Sequence, residues 1–279
     1  MDIKTLFVFV AIFAGGLGAG YMVFGGDSAG GKTGTSGTGW QKQTASADLA
    51  TNGKTVDEAE VRRIVEAYII ENPTVIMRSV DDYQRGGFVR QIEVQAEPYL
   101  AALQQPKDAP ILGDSAAEVK IIEFFDYQCP HCKSNYSVLQ RLLAEDPTIA
   151  LMPKFLPILG DGSENDMSLY AAHAAEAVRL QGKFASFHEA LMASQLPLSR
   201  DNISQIAASV GVDVVQMVQD LASEQVERTV AESKLIADEI GMSQAGTPGY
   251  IIGGKVMIGA APDSYERLKA MIEAARKAG

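Results

Sequence analysis

The stretch that most constrains what this chain can fold into is 119–132, VKIIEFFDYQCPHC. Val119 to Phe125 is an apolar run interrupted only by Lys120 and Glu123, the pattern of a buried strand. Asp126, Tyr127 and Gln128 turn the chain, and Pro130 then suits the first position of a helix, where its missing N–H is no loss. Tyr136, Leu139, Leu142 and Leu143 give that helix an apolar stripe. Strand, turn and helix together put Cys129 at a helix N-terminus, where unpaired N–H groups and the helix dipole stabilise an anion. A thiolate held there has a lowered pKa and is the reactive form. With Cys132 one turn further on, the pair can close a small disulfide that passes easily to other thiols.

Other readings of Cys-x-x-Cys are weaker. The chain holds no third cysteine, and His173 and His188 fall at no ligand-like spacing, which weighs against a zinc site. Both histidines read as surface or satisfied polar residues on their helices. Lys133 stands where a c-type haem motif needs histidine. A structural bridge closing so short a loop removes little unfolded-state entropy. A redox dithiol is the expected use, with no metal and no cofactor implied.

FFDYQCPHCK at 124–133, followed far downstream by GTPGYIIGG at 246–254, resembles a DsbA-like thiol:disulfide oxidoreductase of the thioredoxin superfamily. The resemblance runs from about Pro110 to the C-terminus. It implies an α/β, thioredoxin-like fold with an inserted helical domain. Within Cys129-Pro130-His131-Cys132, the first cysteine is expected to attack and the second to resolve. His131, the titratable group nearest Cys129 in sequence, is expected to favour the thiolate and so an oxidising disulfide. Pro248 resembles the family's cis-proline beside the active-site cysteine, and Thr247 would offer main-chain N–H and C=O to an extended substrate. Glu123 read alone is an edge residue facing water. The resemblance makes it a buried acid under Cys132 that accepts or relays a proton. Lys154, on the next strand, is read as its partner. Asp126 reads as a turn residue. The implied partners are unfolded or misfolded proteins with thiols and a membrane redox partner that resets the dithiol.

The net charge of −11 argues against nucleic acid, which needs a clustered positive surface. Residues 1–26 read as a membrane anchor, because 5–24 carry no charge and are long enough to span a bilayer. A cleaved signal peptide is the competing reading. The chain is thus expected at a bacterial inner membrane facing the periplasm, or free in the periplasm if cleaved. Residues 27–54 form a Gly/Ser/Thr-rich linker of flexible composition.

Residues 55–105 are expected to form a helical extension. One helix opens at Thr55-Val56-Asp57-Glu58, a capping-box pattern, and carries Val61, Ile64, Val65, Tyr68 and Ile69. A second starts at Pro73, carries Val75, Ile76, Val80 and Tyr83, and is broken at Gly86-Gly87. A third places Phe88, Ile92, Ala96, Tyr99 and Leu103 on one face, bent at Pro98. These stripes need a partner surface, either the catalytic domain or the same region of another chain. The extension, with its Glu71-Asn72-Pro73 stretch, resembles the oligomerisation stalks of some DsbA-like relatives, so a homo-oligomer is expected.

Residues 106–279 make the DsbA-like domain, with a strand at 149–155, a helical insertion at about 163–241, a hairpin around Gly253-Gly254 and a last helix after Pro262. The functional expectation is an extracytoplasmic interchange protein that forms or rearranges disulfides. Copper or soft-metal handling by the same two thiolates is the alternative.

Overall fold

The computed structural model describes residues 57–104, 109–163 and 165–278. The anchor and linker expected over 1–54 lie outside them. Among the described residues no helix is long and apolar enough to cross a membrane.

Two helices open the described chain, α1 (Glu58–Glu71) and α2 (Pro73–Ala96), followed by a 3-10 turn at Glu97–Tyr99 and the single-turn α3 (Leu100–Leu103). Pro98 sits in the 3-10 turn between α2 and α3. Gly86-Gly87 does not break α2, which runs through both. Each glycine costs a helix about 1 kcal/mol. The stretch beyond them offsets that cost, since Ile92 and Ala96 are fully buried and Phe88 and Val89 pack against the same cluster.

Five strands form one sheet: β1 (Leu112–Gly113), β2 (Val119–Phe125), β3 (Ile149–Phe155), β4 (Gly249–Ile252) and β5 (Lys255–Ile258). Their order is β1-β3-β2-β4-β5. β2 and β3 are parallel and joined by α4 (Pro130–Glu145), whereas β4 lies antiparallel to both β2 and β5. β2 is central and covered on both faces, which is why its sequence is a run rather than an alternation. Gly253 and Gly254 close the hairpin with φ of +54° and +77°, a pair of left-handed residues matching the strand twist.

Between β3 and β4 stand α5 (Met167–Leu180), α6 (Phe184–Ala193), α7 (Arg200–Ser209), α8 (Val214–Asp220), α9 (Glu224–Glu239) and the short α10 (Met242–Ala245); α11 (Ser264–Ala278) ends the chain. Asp166, Ser199, Asp213 and Ser223 each cap a helix by accepting the N–H three residues on. On one face of the sheet, Ile121, Phe125, Leu151, Phe155 and Tyr250 join a core with α4, α5, α6 and α11. On the other, Ile122, Phe124, Met152 and Ile251 meet Ile92, Ala96 and Leu103, with Ala237 and Ile240 from the α9 end.

The extension expected over 55–105 therefore divides. From Phe88 onward its apolar face closes the back of the sheet. Before that, α1 and the first half of α2 leave Ile64, Tyr68, Ile70, Met77 and Tyr83 more than half exposed.

Candidate active site

The turn from β2 to α4 is tied down by Asp126. This acid is buried, and it accepts the Gln128 N–H at 2.8 Å, the Ile158 and Leu159 N–H groups at 2.9 Å and the Ser168 hydroxyl at 2.8 Å. It is thus more than a turn residue, because it joins the approach to the cysteines to the loop after β3 and to α5. Its position just before the motif was the only sequence signal for that role.

Cys129 caps α4: its Sγ accepts the Cys132 N–H at 3.3 Å, and Pro130 opens the helix. Both cysteines are free thiols, Cys129 at 3% exposure and Cys132 at 0%. The Cys129 thiol donates to the Thr247 main-chain oxygen at 3.3 Å. The Thr247–Pro248 peptide bond is cis, as the resemblance implied.

These surroundings divide the pair electrostatically. A hydrogen bond from the Cys132 thiol, helped by the Thr247 side chain and by the N–H groups of Cys132 and His131, pulls Cys129 down to about 5 against the opposing effect of burial. Burial drives Cys132 far above the ordinary thiol range, reinforced by its bond to Cys129 and by the charge of Glu123. At neutral pH one sulfur is an anion and the other keeps its proton. His131 is exposed, and its imidazole makes no hydrogen bond to the sulfur among the described residues. It acts on Cys129 through its backbone N–H, not through the ring as expected.

Glu123 is fully buried. The water-facing reading fails because β2 is flanked by β3 and β4 and has no edge. Its Oε1 accepts from the Tyr250 hydroxyl at 3.3 Å, that hydroxyl accepts from Asn135 Nδ2 at 2.6 Å, and Oε2 has no partner among the described residues. Burial raises the carboxyl to about 8, so it holds a proton at neutral pH. Lys154 is not its partner. The β2–β3 register sets Glu123 opposite Pro153 and Phe124 opposite Lys154, so acid and amine project to opposite faces of the sheet.

His188 also departs from its expected surface position. It is fully buried on α6, with Nδ1 2.8 Å from the Tyr127 hydroxyl, its ring stacked on Phe184 and met edge-on by Phe125 and Tyr136. Burial lowers it to about 3, so the ring is neutral. The spacing Phe184, Phe187, His188, Leu191 marks one helical face, a signal that places the histidine inward.

A cavity of about 730 Å³ opens beside Pro130, between the start of α4 and the 194–198 connection, with Gln128, Lys133, Met167 and Leu196 on its walls.

A thioredoxin-like sheet that presents a helix-capping Cys-x-x-Cys to a cis-proline loop is the architecture of thiol–disulfide exchange proteins. The chain belongs to the DSBA-like thioredoxin domain family, whose signature matches residues 120–273. Residues 57–86 match the copper resistance protein ScsC N-terminal domain.

Among solved structures, a thioredoxin-like oxidoreductase from Silicibacter pomeroyi is 32% identical, covering 64% of this chain and 99% of that one, with a TM-score of 0.58. A linker-deletion mutant of ScsC from Proteus mirabilis shares the fold at 22% identity, covering 82% of this chain and all of its own, with a TM-score of 0.59. The thiol:disulfide interchange protein DsbA of Bordetella pertussis is 24% identical over 53% of this chain and 69% of its own length. A Na(+)/H(+) antiporter NhaA of Salinispora tropica is 27% identical over 59% of this chain. The chain spans about a quarter of the length of such curated antiporter relatives.

Proposed function

We propose that the chain is an extracytoplasmic thiol:disulfide oxidoreductase that forms or rearranges disulfides in protein substrates, with Cys129 as the exchanging sulfur. The division of the pair carries this reading, with Cys129 drawn down to about 5 and Cys132 held as a buried thiol. A low-pKa sulfur is a good leaving group, and a stabilised thiolate makes the disulfide oxidising.

In the oxidising direction a substrate thiolate attacks Cys129 of the Cys129–Cys132 disulfide. The S–S bond breaks, and its electron pair leaves on Cys132. In the dry interior that sulfur takes a proton, for which Glu123 is the buried donor. A second substrate thiolate then attacks the substrate sulfur of the mixed disulfide and expels Cys129 as a thiolate. The substrate loses two electrons, the pair gains them, and a membrane redox partner removes them. Thr247 and the cavity beside Pro130 hold the substrate chain around its cysteine.

The exposed apolar faces of α1 and the first half of α2 support self-association through the extension, the arrangement that would favour rearrangement over simple oxidation. The uncharged segment at 5–24 supports anchorage in an inner membrane, with the catalytic domain in the periplasm.

The test is trapping. Cys132→Ala, loaded as a mixed disulfide, should hold a reduced unfolded polypeptide through Cys129. Cys129→Ala should trap nothing. Capture through Cys132 instead would overturn the assignment of the exchanging sulfur.

Copper handling is the second reading, favoured by the ScsC-type match at 57–86. Among the described residues no cluster of three or more His, Cys, Asp or Glu side chains gathers to hold an ion. Such a role would rest on the two thiolates alone. Titration of the reduced chain with Cu(I), with and without Cys129→Ser, tests it.

A further inference from the structure

Tyr250 lies directly opposite Glu123 in the β2–β4 register, so both side chains project to the same face of the sheet. α4 covers that face, and on its buried side Asn135 stands one turn beyond Cys132. The three buried side chains form a chain of two hydrogen bonds. It runs 2.6 Å from Asn135 Nδ2 to the Tyr250 hydroxyl and 3.3 Å from that hydroxyl to Glu123 Oε1. Electrostatics join the group to the redox pair, since the charge of Glu123 raises Cys132 and that of Cys132 raises Tyr250.

What each group can give fixes the direction of the chain. An amide nitrogen carries only hydrogens, so the hydroxyl must accept from Asn135. The hydroxyl has a single hydrogen, and it goes to Oε1. In a neutral carboxyl the accepting oxygen is the carbonyl one, so the proton of Glu123 belongs on Oε2. That oxygen is buried and has no partner among the described residues. An idle O–H in a dry interior is costly, and the acid would gain by turning its hydrogen onto Tyr250. The Asn135 N–H prevents this by keeping the hydroxyl's own hydrogen aimed at the acid.

We propose that Asn135 and Tyr250 are positioning residues that keep the Glu123 proton on Oε2, outside the hydrogen-bond chain and available to Cys132. This rests on the reading that Glu123 supplies the proton Cys132 takes up. When the Cys129–Cys132 bond breaks, the Oε2–H bond breaks, the Cys132 S–H bond forms, and Glu123 is left a carboxylate. The Tyr250 bond stabilises that carboxylate, because a hydrogen bond to a charged acceptor is the stronger one. A proton released by the substrate thiols then restores the acid.

The test is single-turnover reduction of the oxidised full chain by dithiothreitol from pH 5 to 9, quenched in acid and counted by mass after alkylation. Rates are expressed per reductant thiolate. A Cys132 thiolate that gains no proton attacks back and re-forms the bond, so the net rate reads the proton transfer. Asn135→Leu removes the N–H donor at similar volume and lets Tyr250 turn to trap the Glu123 proton. Net reduction should slow about tenfold, the worth of one hydrogen bond. Adding Tyr250→Phe removes the trap, so the double variant should be faster than Asn135→Leu and match Tyr250→Phe alone. A merely structural role for Asn135 gives no such rescue. Asn135→Ala, which also lacks the donor, replaces Asn135→Leu if that variant does not fold. A single variant as fast as wild type, or a double variant as slow as the single, would overturn the proposal. Glu123→Gln as fast as wild type would instead overturn the underlying reading of Glu123 as the donor, and the proposal with it.

Discussion

The main-chain oxygen of Thr247 stands 3.3 Å from Cys129 Sγ, although 118 residues separate the two in the chain. The bond exists only while the sulfur carries its proton, because a thiolate cannot donate. When Cys129 ionises, this hydrogen bond is lost and the Thr247 carbonyl is left without that donor.

Thiolate absorbance of the reduced protein should titrate with a midpoint of about 5 for Cys129. In Cys132→Ala the midpoint should rise, since the Cys132 thiol is the largest cause of the lowering, yet stay below the ordinary thiol value of 9. A wild-type midpoint near 9 would remove the activated nucleophile from the scheme.

Thr247→Val should raise that midpoint by about one unit. A hydrogen bond to a charged group is worth ~1.5 kcal/mol, and one pKa unit is ~1.4 kcal/mol. His131→Ala should leave it nearly in place, because the N–H that helps Cys129 belongs to the backbone. A large rise in His131→Ala would return the ring to the role the sequence suggested.

Glu123 and Cys129 should pull the pH dependence of stability in opposite directions. Cys129 has a folded value of about 5 against an ordinary 9, so the unfolded chain binds more protons between these limits, and stability rises with pH across that window. Glu123 has a folded value of about 8 against 4.5, so the folded chain binds more protons, and stability falls from pH 4.5 to 8. Reduced Glu123→Gln should therefore gain stability more steeply than wild type between pH 5 and 8 in denaturant titrations. Tyr250→Phe removes a bond that lowers the acid and should push the Glu123 midpoint above 8. Matching slopes for wild type and Glu123→Gln would mean that the carboxyl does not titrate in the fold.

His188 should matter through Tyr127 and its aromatic neighbours. His188→Ala opens a cavity in a ring-lined core and strands the Tyr127 hydroxyl, at a cost of ~3 kcal/mol. In a cycle with Tyr127→Phe, equilibrium unfolding should show a coupling of about 1 kcal/mol. Additive losses would show that the bond between them contributes nothing.

Truncation should separate the two parts of the extension. A chain beginning at Gly86 should be monomeric by light scattering and keep the low Cys129 midpoint. One beginning at Pro110 loses Ile92, Ala96 and Leu103 from the sheet's back face, at ~2–5 kcal/mol for each large side chain, and should unfold or aggregate. A full-length chain that is already monomeric would end the self-association reading.

The redox pair was legible in the sequence because its determinants are local. A buried strand, a tight turn and a proline-started helix within 119–132 place Cys129 at the cap whatever surrounds it. The Gly253-Gly254 turn is equally short-range and follows from backbone chemistry alone. Pro248 was reached only through resemblance, since nothing local says that a loop so far along the chain returns to a sulfur.

Tertiary structure decided what depends on distant surfaces. Glu123 and Lys154 look like a pair across neighbouring strands, and only the register puts them on opposite faces, because successive strand residues alternate. Gly86-Gly87 is a breaker by propensity, yet α2 continues because its far half is held against the sheet. Asp126 and His188 are polar side chains whose partners, Ser168 and Tyr127, lie 42 and 61 residues away. Burial is a property of what covers a residue. For these residues the cover comes from other parts of the fold, so local sequence alone did not place them.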